Sequence, residues 1–146
     1  MEPRDALKNI YLFRDASPED LAALVAVAER NSYMVEEYVY RTGDTPDALF
    51  VIESGTIDVL LKDKDSALAS VGAGQSLGEM AFFERSKRVA SAITREPTHL
   101  LRLPFAKLDQ VFAAHPKLAS TFYYRACVFC ARMLRTLAPD VNGRYL

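Results

Sequence analysis

Histidine is nearly missing from this chain, with two residues in 146, and cysteine is equally scarce. His99 and His115 stand far apart and in segments that read as different elements, so no His-rich cluster exists to hold a metal, and a metal-dependent enzyme is disfavoured. An excess of one charge is also lacking. Eighteen Lys and Arg against nineteen Asp and Glu leave a net charge of −1, without the basic footprint that nucleic acid requires. No apolar run reaches the eighteen or so residues of a membrane span. The start, Met1 to Asp5, carries early acids and no apolar stretch of the secretory kind, so a cytoplasmic location is expected. There is no G-x-S-x-G elbow, no P-loop and no C-x-x-C pair of zinc-ribbon spacing. With no nucleophile–base pair visible, the chain is not expected to be an enzyme. Cys127 and Cys130 share one face of a segment that reads as helix; free cysteines there are expected to pack as small hydrophobes.

What the chain does have is a block of short β-like runs between two helical ends. Ser17-Pro18-Glu19-Asp20 is a strong helix start, with an N-cap, a proline in the first turn and a capping-box acid. Helical patterning is expected over about 5–30, with a short helix to about Phe13 and a second to about Arg30. From Ser32 the residues turn β-branched and aromatic: Tyr33, Val35, Tyr38, Val39 and Tyr40. Gly43-Asp44, Ser54-Gly55 and Gly72-Ala73-Gly74 punctuate the apolar runs as turns, and Lys62-Asp63-Lys64-Asp65 reads as a charged hairpin tip. Roughly eight strands are expected over about 32–103, which indicates a sandwich or barrel. Helices follow over about 105–137, with an interruption at His115-Pro116 and an end marked by Pro139 and Gly143. No interior linker separates a second domain, so residues 1–146 are read as one unit. The expected class is mainly β: a jelly-roll-like β-roll flanked by N- and C-terminal α-helices.

Chemistry concentrates in Leu77-Gly78-Glu79-Met80-Ala81 and Arg88-Val89-Ala90-Ser91-Ala92, with the acid and the arginine nine positions apart. This combination suits one small ligand bearing both a hydroxyl and a phosphate. Glu79 is acceptor-only and takes a hydroxyl proton. Arg88 stays charged and presents a planar fork to phosphate oxygens; Lys87 is the weaker, more flexible alternative. Residues 78–83 read as one helical turn whose leading N–H groups favour an anion. Ala90 lets its own amide approach. Arg88 is expected to pair with Glu79 as well and hold the acid away from the phosphate. A plain surface ion pair would be worth only about 0–1 kcal/mol and would need no small neighbours.

These residues resemble the phosphate-binding cassette of cyclic-nucleotide-binding domains, F-G-E-L-A, a spacer, then R-A-A-T-A. The acid-to-arginine spacing is similar to that of protein kinase A regulatory subunits. The match carries over Gly78, Glu79, Ala81, Arg88, Ala90 and, conservatively, Ser91, while Leu77 and Met80 keep apolar character at their positions. Upstream, Arg41-Thr42-Gly43-Asp44 and Leu49 to Gly55 resemble the R-x-G-D and F-x-I-x-x-G elements of the same family, and the likeness covers about residues 7 to 137. Two positions depart. Glu36 stands where a turn glycine is usual, and Val89 stands where a small or hydroxyl residue is usual. Valine cannot donate the hydrogen bond that helps domains of the cGMP-binding kind, which favours cAMP over cGMP.

The resemblance implies a sensor of cAMP, less favourably cGMP, with no further cofactor; the chain is read as a standalone module or else as a fragment. Val59, Leu61 and Leu77 are expected in the pocket wall. The C-terminal helix would act as lid and pass the signal to an unknown effector protein or to a second copy of the chain. Tyr123 or Tyr124 would stack on the base, or else Phe122, Ala126, Phe129, Met133 and Leu137 form a core or dimer stripe that the tyrosines flank. The competing reading is an interaction scaffold that keeps the fold without the ligand.

Overall fold

Seven residues, Ala48–Ser54 (β3), organise the layers. Successive side chains point to opposite faces of a strand, so an unbroken apolar run must be covered on both sides. Ala48, Phe50 and Ile52 enter one buried cluster with Ile57, Leu77, Ala92 and Leu100. Leu49 and Val51 enter another with Leu101, Leu103 and the helical residues Leu7, Leu21, Leu24, Leu108 and Phe122. One strand thus faces the interior of a β-roll on one side and the helices on the other.

The computed structural model describes residues 2–61 and 67–137. Along the chain come α1 (Pro3–Asn9), a 3-10 turn (Tyr11–Phe13), α2 (Pro18–Val27), β1 (Glu29–Tyr33), β2 (Tyr38–Tyr40), β3, β4 (Thr56–Leu61), β5 (Ala69–Gly72) and β6 (Ser76–Leu77). Then follow α3 (Glu79–Glu84), β7 (Ala90–Thr94), β8 (Thr98–Pro104), α4 (Phe105–Ala114) and α5 (Pro116–Leu137). The strands form two antiparallel four-stranded sheets, β1-β8-β3-β6 and β2-β7-β4-β5. This is the β-roll with flanking helices expected from the sequence. The charged tip at Lys62 to Asp65 and the end signals at Pro139 and Gly143 lie outside the described residues.

The helical ends are fixed by specific contacts. Ser17 accepts from the Asp20 N–H at 3.1 Å and donates its own N–H to Asp20 at 3.3 Å, the reciprocal capping box. Asp20 also meets His115 Nδ1 at 3.0 Å, which ties the start of α2 to the α4–α5 junction. Arg125 of α5 donates to the Tyr11 carbonyl at 2.7 Å and pairs with Asp15. Both histidines are thus engaged locally: His99 bonds Ser32 at 2.9 Å across β8 and β1.

Several boundaries differ from expectation. The first helix starts at Pro3 and stops at Asn9, where the chain tightens into the 3-10 turn. The second ends at Val27, not Arg30, because Glu29–Tyr33 is a strand. That strand is polar and largely exposed. It sits on a sheet edge and is held by backbone pairing with β8 and by the Arg102–Glu29 ion pair at 2.9 Å, not by apolar alternation. Glu36, at the position where the family favours glycine, takes the left-handed conformation itself, with φ 63°, and is gripped by Arg95 at 2.9 and 3.0 Å.

Gly55 makes the β3–β4 turn at φ +101°, and a Cβ there would lie 2.3 Å from Thr98 Oγ1 and 2.7 Å from its Cα. Gly55→Ala is therefore expected to cost about 2 kcal/mol or more, from left-handed strain plus displaced backbone. Urea unfolding checks this, and an unchanged midpoint would mean that the turn relaxes freely.

Candidate ligand-binding site

The site is built where β6 runs into α3. Gly78 caps α3 at φ 90°, and Arg85 closes it at φ 61°, its N–H reaching the Ala81 carbonyl at 2.8 Å. A single helical turn has little stability of its own. Phe82 anchors it, buried against Phe105, Phe112 and Phe122 at centroid distances of 5.2, 5.8 and 5.6 Å. Arg85 adds a lock: it covers the Phe82 and Phe105 rings at 4.7 Å and reaches the Asp109 carboxylate of α4 at 3.0 Å.

Glu79 and Arg88, expected at the heart of the site, are buried to 8% and 7% exposure. Few charged side chains are buried so far without a partner. Glu79 Oε2 and Arg88 Nε both lack a hydrogen-bond partner among the described residues. Burial pushes the Glu79 carboxyl above its ordinary pKa, against the stabilising bonds from its own N–H and from Ser76. Burial likewise pulls Arg88 downward. The expected Glu79–Arg88 ion pair is not formed. The guanidinium instead donates from Nη2 to the Ala48 carbonyl at 3.0 Å and lies 4.1 Å from the Tyr40 ring centroid. It fits there because Gly78 has no side chain: a Cβ on that residue would sit 2.9 Å from Nη1.

The upstream Arg41 to Asp44 turn is part of the same construction. Gly43 donates to the Arg88 carbonyl at 2.8 Å, and the Arg88 N–H donates to the Asp44 carbonyl at 2.9 Å. Arg41 N–H caps on Asp44 at 2.8 Å. The Ser91 hydroxyl accepts from Thr42 N–H at 2.9 Å, so its oxygen is engaged in holding this turn. Two motifs more than forty positions apart are thereby stitched together by main-chain bonds.

The other expected residues divide by position. Leu77, Ala90 and Val59 face the roll interior, and Leu61 sits exposed at the end of β4, opposite Ala90. Along β4 the inner face grades from buried Ile57 through half-buried Val59 to exposed Leu61, so the interior opens at this end. Ala81 packs on the helical core, whereas Met80 and Val89 are directed outward, Val89 at 78% exposure. Lys87 donates to the Thr45 hydroxyl at 2.5 Å. Tyr40, Ser76 and the Ala48 carbonyl were not visible as site components in the sequence. Tyr40 reads there only as a strand aromatic, and a carbonyl carries no residue signature.

α5 leans on the same turn. Tyr123 contacts Phe82 at 6.3 Å and Phe83 at 5.6 Å, so its ring belongs to packing, while Tyr124 is exposed. Phe122 and Ala126 are buried, and Phe129 and Met133 remain exposed. Cys130 Sγ lies 3.3 Å from Met80 Sδ, linking α5 to α3, but Cys127 is exposed and does not pack as expected. Among the described residues no group of three His, Cys, Asp or Glu could hold a metal, and no helix is long and apolar enough to cross a membrane.

Comparison with known proteins agrees with this architecture. The family model for the cyclic nucleotide-binding domain matches residues 30–115. The cyclic AMP receptor protein of Thermus thermophilus is 30% identical over 100 residues, covering 66% of this chain and 46% of the receptor. The crystal structure of the Thermus thermophilus catabolite activator protein superposes with a TM-score of 0.75 at 25% identity, covering 90% of this chain and 61% of that one. A cAMP-dependent protein kinase regulatory subunit from Candida albicans is 30% identical over 87 residues, covering 60% of this chain and 18% of the subunit. The chain thus spans less than half the length of these curated relatives. Fold, cassette and family match coincide on the same residues, and this chain belongs to the cyclic nucleotide-binding domain family.

Proposed function

We propose that this chain is a cytoplasmic cyclic-nucleotide sensor that binds cAMP ahead of cGMP, carries out no chemistry on it, and signals through α5 to an effector protein or a second copy. One observation carries the reading: two buried side chains of opposite charge, each with an unpaired polar atom, stand at the open end of the roll within electrostatic range of each other but without an ion pair between them. A carboxylate acceptor for a ribose hydroxyl and a guanidinium donor for a phosphate are what one cyclic nucleotide requires. Val89 offers no hydroxyl to guanine, and the cyclic AMP receptor among the relatives supports cAMP by its name. The exposed apolar residues Phe129, Met133 and Leu134 on α5 supply a surface for a partner or for dimerisation.

The second reading, a scaffold that keeps the fold without the ligand, draws on the internal contacts Arg88 already makes with Ala48 and Tyr40. Calorimetric titration with cAMP and cGMP separates the two. The sensor reading expects saturable binding with cAMP the tighter ligand, and no hydrolysis product after incubation. Arg88→Leu should weaken cAMP binding about a hundredfold or more, since it removes a charge-assisted fork from a buried site. Unchanged affinity would remove Arg88 from the site, and no binding by the unaltered chain would favour the scaffold.

Glu79 gives a second test with the opposite sign in stability and affinity. Its carboxyl stands above the ordinary value of 4.5 in the folded chain. Its protonated form therefore favours folding: that stability is fully present below about the ordinary value and is lost as pH rises through the raised one. Glu79→Gln keeps a neutral group at every pH. The ligand-free variant should be more stable than the parent at pH 7, with the difference shrinking as pH falls from the raised value toward the ordinary one and no longer changing below it. Its cAMP affinity should drop roughly tenfold or more, through loss of a charged acceptor. Thermal melts across pH, set beside titrations, check both halves; a variant less stable at neutral pH would contradict the account of the buried carboxylate.

A further inference from the structure

Tyr40 lies at the centre of this site, on the three-residue strand β2, which among the described strands pairs with β7. One side of its ring carries Arg88, whose Cζ is 4.1 Å from the centroid. The ring is itself backed by Phe50, with centroids 6.2 Å apart and planes 29° from parallel. Burial raises the phenol's pKa to about 12, so Tyr40 is a neutral ring throughout the physiological range. The guanidinium is accordingly held by a ring face, by the Ala48 carbonyl and by the space above Gly78. None of these three carries a negative charge, and the carboxylates of Asp44, Asp47 and Glu79 act on Arg88 electrostatically without forming an ion pair with it. A carboxylate at the same place would fix Arg88 as firmly but would cancel its charge before any anion arrived. A ring face attracts a cation through its quadrupole and leaves the net charge intact. The ring lies against the guanidinium, whose Nε is a buried donor without a partner among the described residues.

We propose that Tyr40 is a positioning residue for the anion site: its ring is the platform that sets the plane of the Arg88 fork against Gly78 without neutralising it, so that a phosphodiester monoanion meets a preset cation. This rests on reading Arg88 as the phosphate-binding group, and it adds a residue that touches the ligand only through Arg88.

The test compares Tyr40→Leu, which keeps apolar volume but removes the ring, with Tyr40→Phe, which keeps the ring. Two readouts are taken on the full chain. The first is the Arg88 Hε resonance of the ligand-free protein by nitrogen-15 NMR. A proton held near a ring face is shifted upfield, so the shift should be present in the parent and in Tyr40→Phe and collapse in Tyr40→Leu. The second is calorimetric affinity for cAMP, with adenosine as a probe that shares the base and sugar but lacks the phosphate. Tyr40→Leu should lose roughly tenfold in cAMP affinity, Tyr40→Phe should recover most of it, and adenosine binding should be insensitive to either change. An equal loss for cAMP and adenosine would reduce Tyr40 to a structural role and overturn the proposal. So would an unshifted Arg88 Hε in the parent, whatever the affinities. If the parent shows the shifted proton but no cAMP binding, the sensor reading falls and with it the anion-site role of Tyr40, while the ring contact stands as a structural feature.

Discussion

Arg88 is a buried cation that forms no ion pair among the described residues, although Asp44, Asp47 and Glu79 lie within electrostatic range, and much of the local structure exists to keep it there. Desolvating a charge is costly unless it is held by hydrogen bonds or partners. Here the holding is divided among a carbonyl at the start of β3, an aromatic ring on β2 and the bare backbone of Gly78. Each comes from a different element, so the position of the guanidinium is defined only when both sheets and the α3 turn are assembled. Glu79, one residue past Gly78, adds a buried carboxylate that burial disfavours. Stability is thus given up at a site where two buried side chains of opposite charge each keep a polar atom without a partner, a common signature of functional sites.

The cassette is coupled to the rest of the molecule through one aromatic residue. Phe82 projects from the short α3 into rings from α4 and α5, and Arg85 clamps the same turn to Asp109. A helix of six residues has almost no independent preference for its position. Its position is set by how these side chains nest, and any shift of α3 must be met by Phe122 and Tyr123 of α5. The same cluster therefore serves as part of the core and as the physical link between binding site and C-terminal helix.

Local chemistry was readable from the sequence where it acts over a few residues. The Ser17–Asp20 box, the turn at Gly55, the apolar run of β3 and the short helix after Gly78 all follow from neighbouring residues, and all were found in place. β1 was hidden because Glu29–Tyr33 has no apolar period; its pairing is with the backbone of β8 at a sheet edge. Within the site, the spacing of Glu79 and Arg88 identified the charged residues but misjudged their relation. Their apparent match as an ion pair ignored the Ala48 carbonyl, which has no side-chain signature, and Tyr40, which lies 48 positions before Arg88. Contacts of that kind depend on the register of two sheets, and no local pattern encodes it.

α5 is restrained very unevenly along its length. Phe122, Arg125 and Ala126 are seated in the core or bonded to the N-terminal segment, whereas residues 131–136 are exposed. Leu137 lies eleven positions past Ala126, roughly 16 Å along the helix at 1.5 Å per residue, a stretch held by lighter contacts such as Cys130 against Met80 and Arg132 over the Tyr11 ring. The geometry is that of a lever with its fulcrum close to α3. A tilt of about ten degrees there carries the far end through roughly 3 Å, so a displacement too small to disturb the ring cluster becomes a displacement large enough for a neighbouring surface to register.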